Sequence, residues 1–189
     1  MLFNELPIQG AYRIGLQPHR DERGWFARAW CEKEFAERGI TESFVQANQA
    51  YTAAAGTLRG LHYQTAPHEE AKFIRCLRGA VYDVIVDLRP DSASYLEWHA
   101  VTLTAEQRDA LYVPAGCAHG YQTLMDDTEV FYQVTTAYTP GVEKGVRYDD
   151  PAFGIEWPRA VKALSDKDQS WPDFESTRAA HPASSEPTT

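Results

Sequence analysis

The segment AVYDVIVDLR (residues 80–89) alternates strictly, with Tyr82, Val84, Val86 and Leu88 on one face of an extended chain and Val81, Asp83, Ile85 and Asp87 on the other. A repeat of two residues is the repeat of a strand, here with two aspartates on one side. Runs of the same kind recur at AKFIRCL, EWHAVTL, DALYVP, GYQTL and EVFYQVTTAY, separated by RG, RPDS, TAEQRD, PAG and MDDT. Short strands at even spacing with turn chemistry between them predict an all-β sandwich, jelly roll or barrel. Helix is scarce: CEKEFAERG, with Gly39 as its stop, and a short second helix near WPRAVKALSDKDQ.

The chain has 189 residues, 43% of them hydrophobic, which suits one domain with a sizeable core. The last stretch, ESTRAAHPASSEPTT, is polar and lacks a periodic apolar face, so the domain is expected over 1–175 and a disordered tail over 176–189. A net charge of −9 argues against a nucleic-acid partner, because counterion release needs clustered Lys and Arg. Any anionic ligand must therefore meet a local positive cluster. Cys31, Cys76 and Cys117 are odd in number and form no CxxC pair, which predicts reduced thiols and a cytoplasmic location. The N-terminus has no basic segment leading into an apolar run, and no window reaches the ~18 apolar residues of a membrane span. A soluble, unprocessed protein with no membrane partner is expected.

Several polar side chains sit where a strand would bury them. TLRGLHYQ (57–64) reads as a strand containing both Arg59 and His62, each costing a few kcal/mol to desolvate unless paired. The two are an odd number of residues apart, so strict alternation sends them to opposite faces. For both to reach one ligand, the chain must bend near Gly60 or Arg59 must stand at the rim. Lys72, on the next strand, is expected beside His62 across the ladder. Tyr132 and Tyr138, six residues apart in EVFYQVTTAY, share a strand face by parity. Each residue alone has a plainer reading: a satisfied histidine, a structural ion pair, a solvated lysine, core tyrosines.

PAGCAHGYQT places His119 after a proline and a glycine that can turn the chain into a strand. This PxGxxH pattern resembles the second half-motif of the cupin jelly roll. Metal-binding cupins also carry a His-x-His pair in the first half-motif, whereas here that place reads His62, Tyr63, Gln64. One imidazole there is too few for the usual ligand set, so no metal is expected.

Taken together, DERGWF (21–26), FVQANQ (44–49), LRGLHYQ (58–64), AKFIRCLRGAVYDVIVDLR (71–89), YVPAGCAHGYQTL (112–124), EVFYQV (129–134) and YDDPAFGIEWP (148–158) resemble the dTDP-4-dehydrorhamnose 3,5-epimerase family, metal-free cupins of nucleotide-sugar metabolism. The resemblance implies a cupin-type jelly roll with a few short helices and an isomerase needing no cofactor. Its substrate would be a nucleotide-diphosphate-linked 4-keto-6-deoxy sugar, epimerised at C3, C5 or both. His62 matches the family base, and Asp168 in LSDKD matches the aspartate that orients it. Lys72 matches the lysine that stabilises the enolate, and Tyr132 matches the acid, with Tyr138 nearby. Arg23 and Arg59 match diphosphate-binding positions, with His119 near the same phosphates, while Gln46, Asn48, Glu143 and Lys167 match further binding positions. The family is dimeric, with an N-terminal strand crossing to the partner, and Arg23 and Arg28 would then serve the neighbouring site.

Three departures from the family pattern stand out. Arg28 occupies a place where members reading thymine usually carry glutamate, which opens CDP- or GDP-linked sugars as alternatives. Glu70 stands where a glutamine is common, and Ala137 where an aromatic residue is common before Tyr138. A binding protein without catalysis and a metal-dependent cupin enzyme are the rival classes. The first has no need of a base facing an acid, and the second lacks its His-x-His pair.

Overall fold

The computed structural model describes residues 1–174, so the expected tail at 176–189 lies outside the described residues. In chain order the elements are β1 (Leu2–Glu5), β2 (Tyr12–Gly15), β3 (His19–Asp21), β4 (Gly24–Phe26), α1 (Glu32–Ala36), β5 (Gln46–Thr52), β6 (Leu58–Gln64), β7 (Lys72–Arg78) and β8 (Ala80–Asp87). There follow β9 (Trp98–Thr104), β10 (Ala110–Val113), β11 (Cys117–Thr123), β12 (Thr128–Val134), β13 (Glu143–Gly145) and α2 (Asp166–Gln169). Two sheets face each other in a jelly-roll sandwich, one ordered β1-β2-β10-β7-β12-β5 and the other β13-β6-β11-β8-β9, while among the described residues β3 and β4 pair only with each other.

The alternation in β8 has the outcome its pattern predicts. Val81 and Ile85 point between the sheets and join Ile74, Leu103, Leu111 and Val130 in the central core. Val84 and Val86 point outward and are covered, with Leu61 and Ala118, by Val146, Phe153 and the segment running to Trp157. The outer face of the six-stranded sheet is closed by α1, whose Phe35 meets Phe3 and Phe73 edge-on at 5.3 Å between ring centroids. Gly39, at φ +77°, ends that helical turn in the left-handed region where glycine is at no disadvantage.

Two sequence expectations change here. β7 follows β6 in the chain but lies in the facing sheet, so Lys72 is not across a ladder from His62. The link TAPHEEA contains Pro67, which has no N–H for a ladder, and it carries the chain over to the other sheet instead of closing a hairpin. Tyr138 is not on the strand of Tyr132, because β12 ends at Val134. Thr135 still holds Ala71, its N–H donating to the Ala71 carbonyl at 3.1 Å and its hydroxyl taking the Ala71 N–H at 2.9 Å, and the chain turns away beyond it.

One buried anchor fixes the start of β11, the strand that carries His119. Asp87 is fully buried, yet it accepts from Arg89 Nε at 2.8 Å, Ser92 Oγ at 2.5 Å and Ser94 Oγ at 2.7 Å. The same Arg89 donates to the Gln9 carbonyl at 2.7 Å and so ties down the N-terminal turn. Burial alone would raise the Asp87 carboxyl, but the donors outweigh it and bring its pKa down to about 2. Its unfolded carboxyl titrates at 3.8, so this stabilisation is present at neutral pH and is lost as pH falls through 4 toward 2. A difference of that size is worth roughly 2 kcal/mol. Urea unfolding followed from pH 6 to pH 2.5 is expected to show this loss in the wild type and a flatter profile, from a lower plateau, in Asp87→Asn. An unchanged slope in the variant contradicts the assignment.

Candidate active site

Between the two sheets the interior is apolar on the β8–β9–β10 side and open on the β5–β6–β12–β13 side. The opening is a cavity of about 700 Å³ lined by polar side chains from both sheets and from the segment around α2. Gln46 and Asn48 come from β5, Arg59 and His62 from β6, Lys72 from β7, His119 from β11, Tyr132 from β12 and Glu143 from β13. Tyr138, Lys167 and Asp168 complete its wall.

The odd spacing of Arg59 and His62 is resolved by a bulge. His62 pairs with His119 and Arg59 with Tyr121, so three steps along β6 oppose two along β11. The extra residue returns Arg59 and His62 to the same face. Gly60, at φ +107°, permits it: a Cβ there would lie 2.7 Å from both Gly120 Cα and the His119 carbonyl oxygen. Arg59 also stands at the exposed rim, held by Thr52 Oγ1 at 3.1 Å and the Tyr51 carbonyl at 3.3 Å.

His62 Nε2 lies 2.6 Å from Asp168 Oδ1. Asp168 is buried, which by itself would raise its pKa; the bond to His62 and the Gly60 N–H at 3.2 Å bring it below the ordinary carboxylate value. An ionised carboxylate only accepts, so Nε2 carries the hydrogen, and in the neutral imidazole Nδ1 is the acceptor. Nδ1 lies 3.5 Å from Glu143, whose carboxylate is itself ion-paired with Lys167. Lys72 approaches from the opposite sheet: its ammonium donates to the His62 carbonyl at 3.3 Å and pairs with Glu70 at 3.2 Å.

Tyr132 faces the cavity from the sheet opposite His62. Burial and the carboxylates of Glu70 and Glu143 hold its phenol above the ordinary tyrosine pKa, so it keeps its proton throughout the neutral range. Gln46 donates to Asn48 Oδ1 at 3.1 Å and accepts from the Tyr138 N–H at 3.2 Å, which brings Tyr138 to the cavity from its loop. Arg23 and Arg28 are not at the cavity of their own chain. Arg23 is 83% exposed and pairs with Asp21, and Arg28 is 62% exposed and pairs with Glu34 at 2.9 Å.

Sequence reasoning passed over a second histidine–carboxylate pair. His119 Nε2 lies 2.6 Å from Oδ1 of Asp83, which is fully buried and whose Oδ2 has no hydrogen-bond partner among the described residues. The signal was present: an aspartate on the inward face of an otherwise apolar strand requires a partner. Among the described residues, no three or more His, Cys, Asp or Glu side chains are arranged to hold a metal ion.

The family model described as dTDP-4-dehydrorhamnose 3,5-epimerase matches residues 5–176. A dTDP-4-dehydrorhamnose 3,5-epimerase of Sinorhizobium fredii is 41% identical over 175 residues, covering 92% of this chain and 90% of that protein. The crystal structure of the Bacillus anthracis dTDP-4-dehydrorhamnose 3,5-epimerase with TDP and pyrophosphate bound superposes with a TM-score of 0.86 at 40% identity, covering 90% of this chain and 98% of that one. A 3'-monoepimerase from Streptomyces bikiniensis in complex with dTDP-quinovose gives a TM-score of 0.83 at 32% identity over 93% of this chain and 89% of its own. With the motifs, the jelly roll and these matches in agreement, the chain belongs to the dTDP-4-dehydrorhamnose 3,5-epimerase family, isomerases built on the cupin fold.

Proposed function

We propose that the protein epimerises a dTDP-linked 4-keto-6-deoxyhexose at the carbons flanking the ketone, C3 and C5, with His62 as base and Tyr132 as acid. The observation that carries this reading is the placement of a histidine–aspartate pair on one sheet and a protonated tyrosine on the facing sheet of one cavity. A ketone acidifies only its neighbouring C–H bonds, so abstraction by Nδ1 of His62 leaves an enolate. Asp168 fixes the tautomer that makes Nδ1 the acceptor and stabilises the imidazolium once it forms. The enolate oxygen needs a donor already in place, and the Lys72 ammonium, steered by Glu70 and the His62 carbonyl, supplies it. Inversion then requires a proton from the other face of the ring, a role this reading gives to Tyr132, which lines the cavity from the sheet facing His62.

Arg59 and Lys167 supply the positive charge by which an acidic chain holds a diphosphate, with His119 lining the same cavity. For the base, dTDP is favoured over CDP and GDP: the Bacillus anthracis structure is one with TDP bound and the Streptomyces bikiniensis 3'-monoepimerase structure one with dTDP-quinovose. The protein acts as a homodimer in this reading. Support comes from the β3–β4 hairpin, which pairs with no other strand and exposes Trp25 and Phe26, and from Arg23, which reaches no part of its own cavity. Its place is the cytoplasm, in keeping with three unpaired cysteines.

In deuterium oxide with a dTDP-4-keto-6-deoxyhexose, proton NMR is expected to show deuterium entering next to the ketone as the epimer accumulates. His62→Ala should lower both by about 10²–10⁴-fold. Tyr132→Phe should suppress the epimer while exchange into unchanged substrate persists, because the base remains. Wild-type exchange in His62→Ala, or faster turnover of a CDP- or GDP-linked sugar, contradicts this reading. Light scattering on the purified chain is expected to give the mass of a dimer, and a monomer removes the role given to Arg23.

A further inference from the structure

Asp168 belongs to none of the strands that build the cavity. It arrives on a strap, residues 162–174, tied at both ends. At its start, the Lys162 N–H donates to the Gly56 carbonyl and the Leu58 N–H donates to the Ala163 carbonyl, each at 2.9 Å. At its far end, the Phe174 N–H donates to buried Asp150 at 2.6 Å and the Phe174 ring rests against Phe153 at 5.2 Å between centroids. Between these ties lies α2, four residues long, far too short to hold its shape on intrinsic propensity.

A third attachment comes from Trp171, just beyond α2. Its indole lies directly on Gly145: a Cβ built there would fall 2.1 Å from Nε1 and 2.2 Å from Cε2. Gly145 is the residue paired with His62 on the β13–β6 ladder, and paired residues present their side chains to the same face. The indole therefore fills the place beside the base that a side chain at 145 would take. The same ring sits 5.9 Å from the Lys167 ammonium, whose other partner is Glu143 on the same strand. Gly145 does not have a positive φ, so what glycine provides here is room, not backbone freedom.

We propose that the seating of Trp171 on Gly145 is a positioning contact for the reaction: it sets how closely α2 lies over β6 and so keeps Asp168 Oδ1 on His62 Nε2. The inference rests on the reading of His62 as the base. The tolerance is small, since a 2.6 Å hydrogen bond is lost when its partners separate by about 1 Å. Neither Trp171 nor Gly145 needs to touch substrate for this role, so its signature is in turnover and in the histidine itself.

Gly145→Ala is expected to lower kcat about tenfold or more with KM within about twofold, as for an aspartate that acts on the base and not on substrate binding. In proton NMR without substrate, the downfield signal of the His62 Nε2 hydrogen should weaken or vanish. Trp171→Leu should act in the same direction, and adding Gly145→Ala to it should cost little more, because the indole it displaces is already gone. Wild-type kcat in either single variant, or additive losses with the His62 signal intact, overturns the proposal. Should Gly145→Ala fail to fold, Trp171→Leu carries both readouts alone. The NMR signal needs no substrate, so its response separates failure of this contact from failure of the proposed reaction.

Discussion

Two glycines face each other across the β6–β11 ladder, and the cavity depends on how closely they let the strands approach. A Cβ on Gly60 would lie 2.7 Å from Gly120 Cα, and one on Gly120 would lie 2.7 Å from the Arg59 carbonyl oxygen. Any other pair of residues would push the strands apart, and with them the bulge that turns Arg59 and His62 to one face. The bulge also aims the Gly60 N–H at Asp168, so the residue that shapes the backbone helps hold the carboxylate behind His62. Backbone geometry and proton chemistry thus meet at one residue.

From that point the division of labour follows the two sheets. The five-stranded sheet carries both cavity histidines, His62 and His119, each backed by a buried carboxylate, and the facing sheet carries Lys72 and Tyr132. An enzyme that takes a proton from one face of a ring and returns another to the opposite face needs its two groups separated by the substrate. A sandwich with an open side can hold a ring between two such groups. Burial does the rest: it holds the Tyr132 phenol protonated, and the same low-dielectric surroundings strengthen the bonds that keep Asp168 ionised.

The strands of this fold were legible because alternation decides which side chains are buried, and β8 placed each of its residues as its pattern requires. The short helix at α1 was legible from Gly39. The odd spacing of Arg59 and His62 was legible as a problem, and its two solutions, a bend at Gly60 and a rim position for Arg59, both hold. Less legible was anything that depends on which sheet a strand joins. Lys72 meets His62 across the sandwich and not along a ladder: Pro67 in TAPHEEA speaks against a tight hairpin, but nothing local says which sheet the next strand joins. Tyr138 lies beyond the end of β12, its N–H held by Gln46 from a distant strand, and Asp83 found His119 through a pairing distant in sequence. Arg23 matches a family position by motif and Arg28 departs from one, yet within one chain both lie outside the cavity, which no local pattern could show.

The central claim is that His62 and Tyr132 address opposite faces of one sugar ring, and the most direct test is the crystal structure of the chain with a dTDP-linked 4-keto-6-deoxy sugar in the cavity. The expected result has His62 Nδ1 over one face, at the hydrogen of a carbon next to the ketone, and the Tyr132 hydroxyl over the other. The ketone oxygen should lie within hydrogen-bond reach of the Lys72 ammonium. A ring with both groups on the same face, or a diphosphate lying where the sugar should be, contradicts the account.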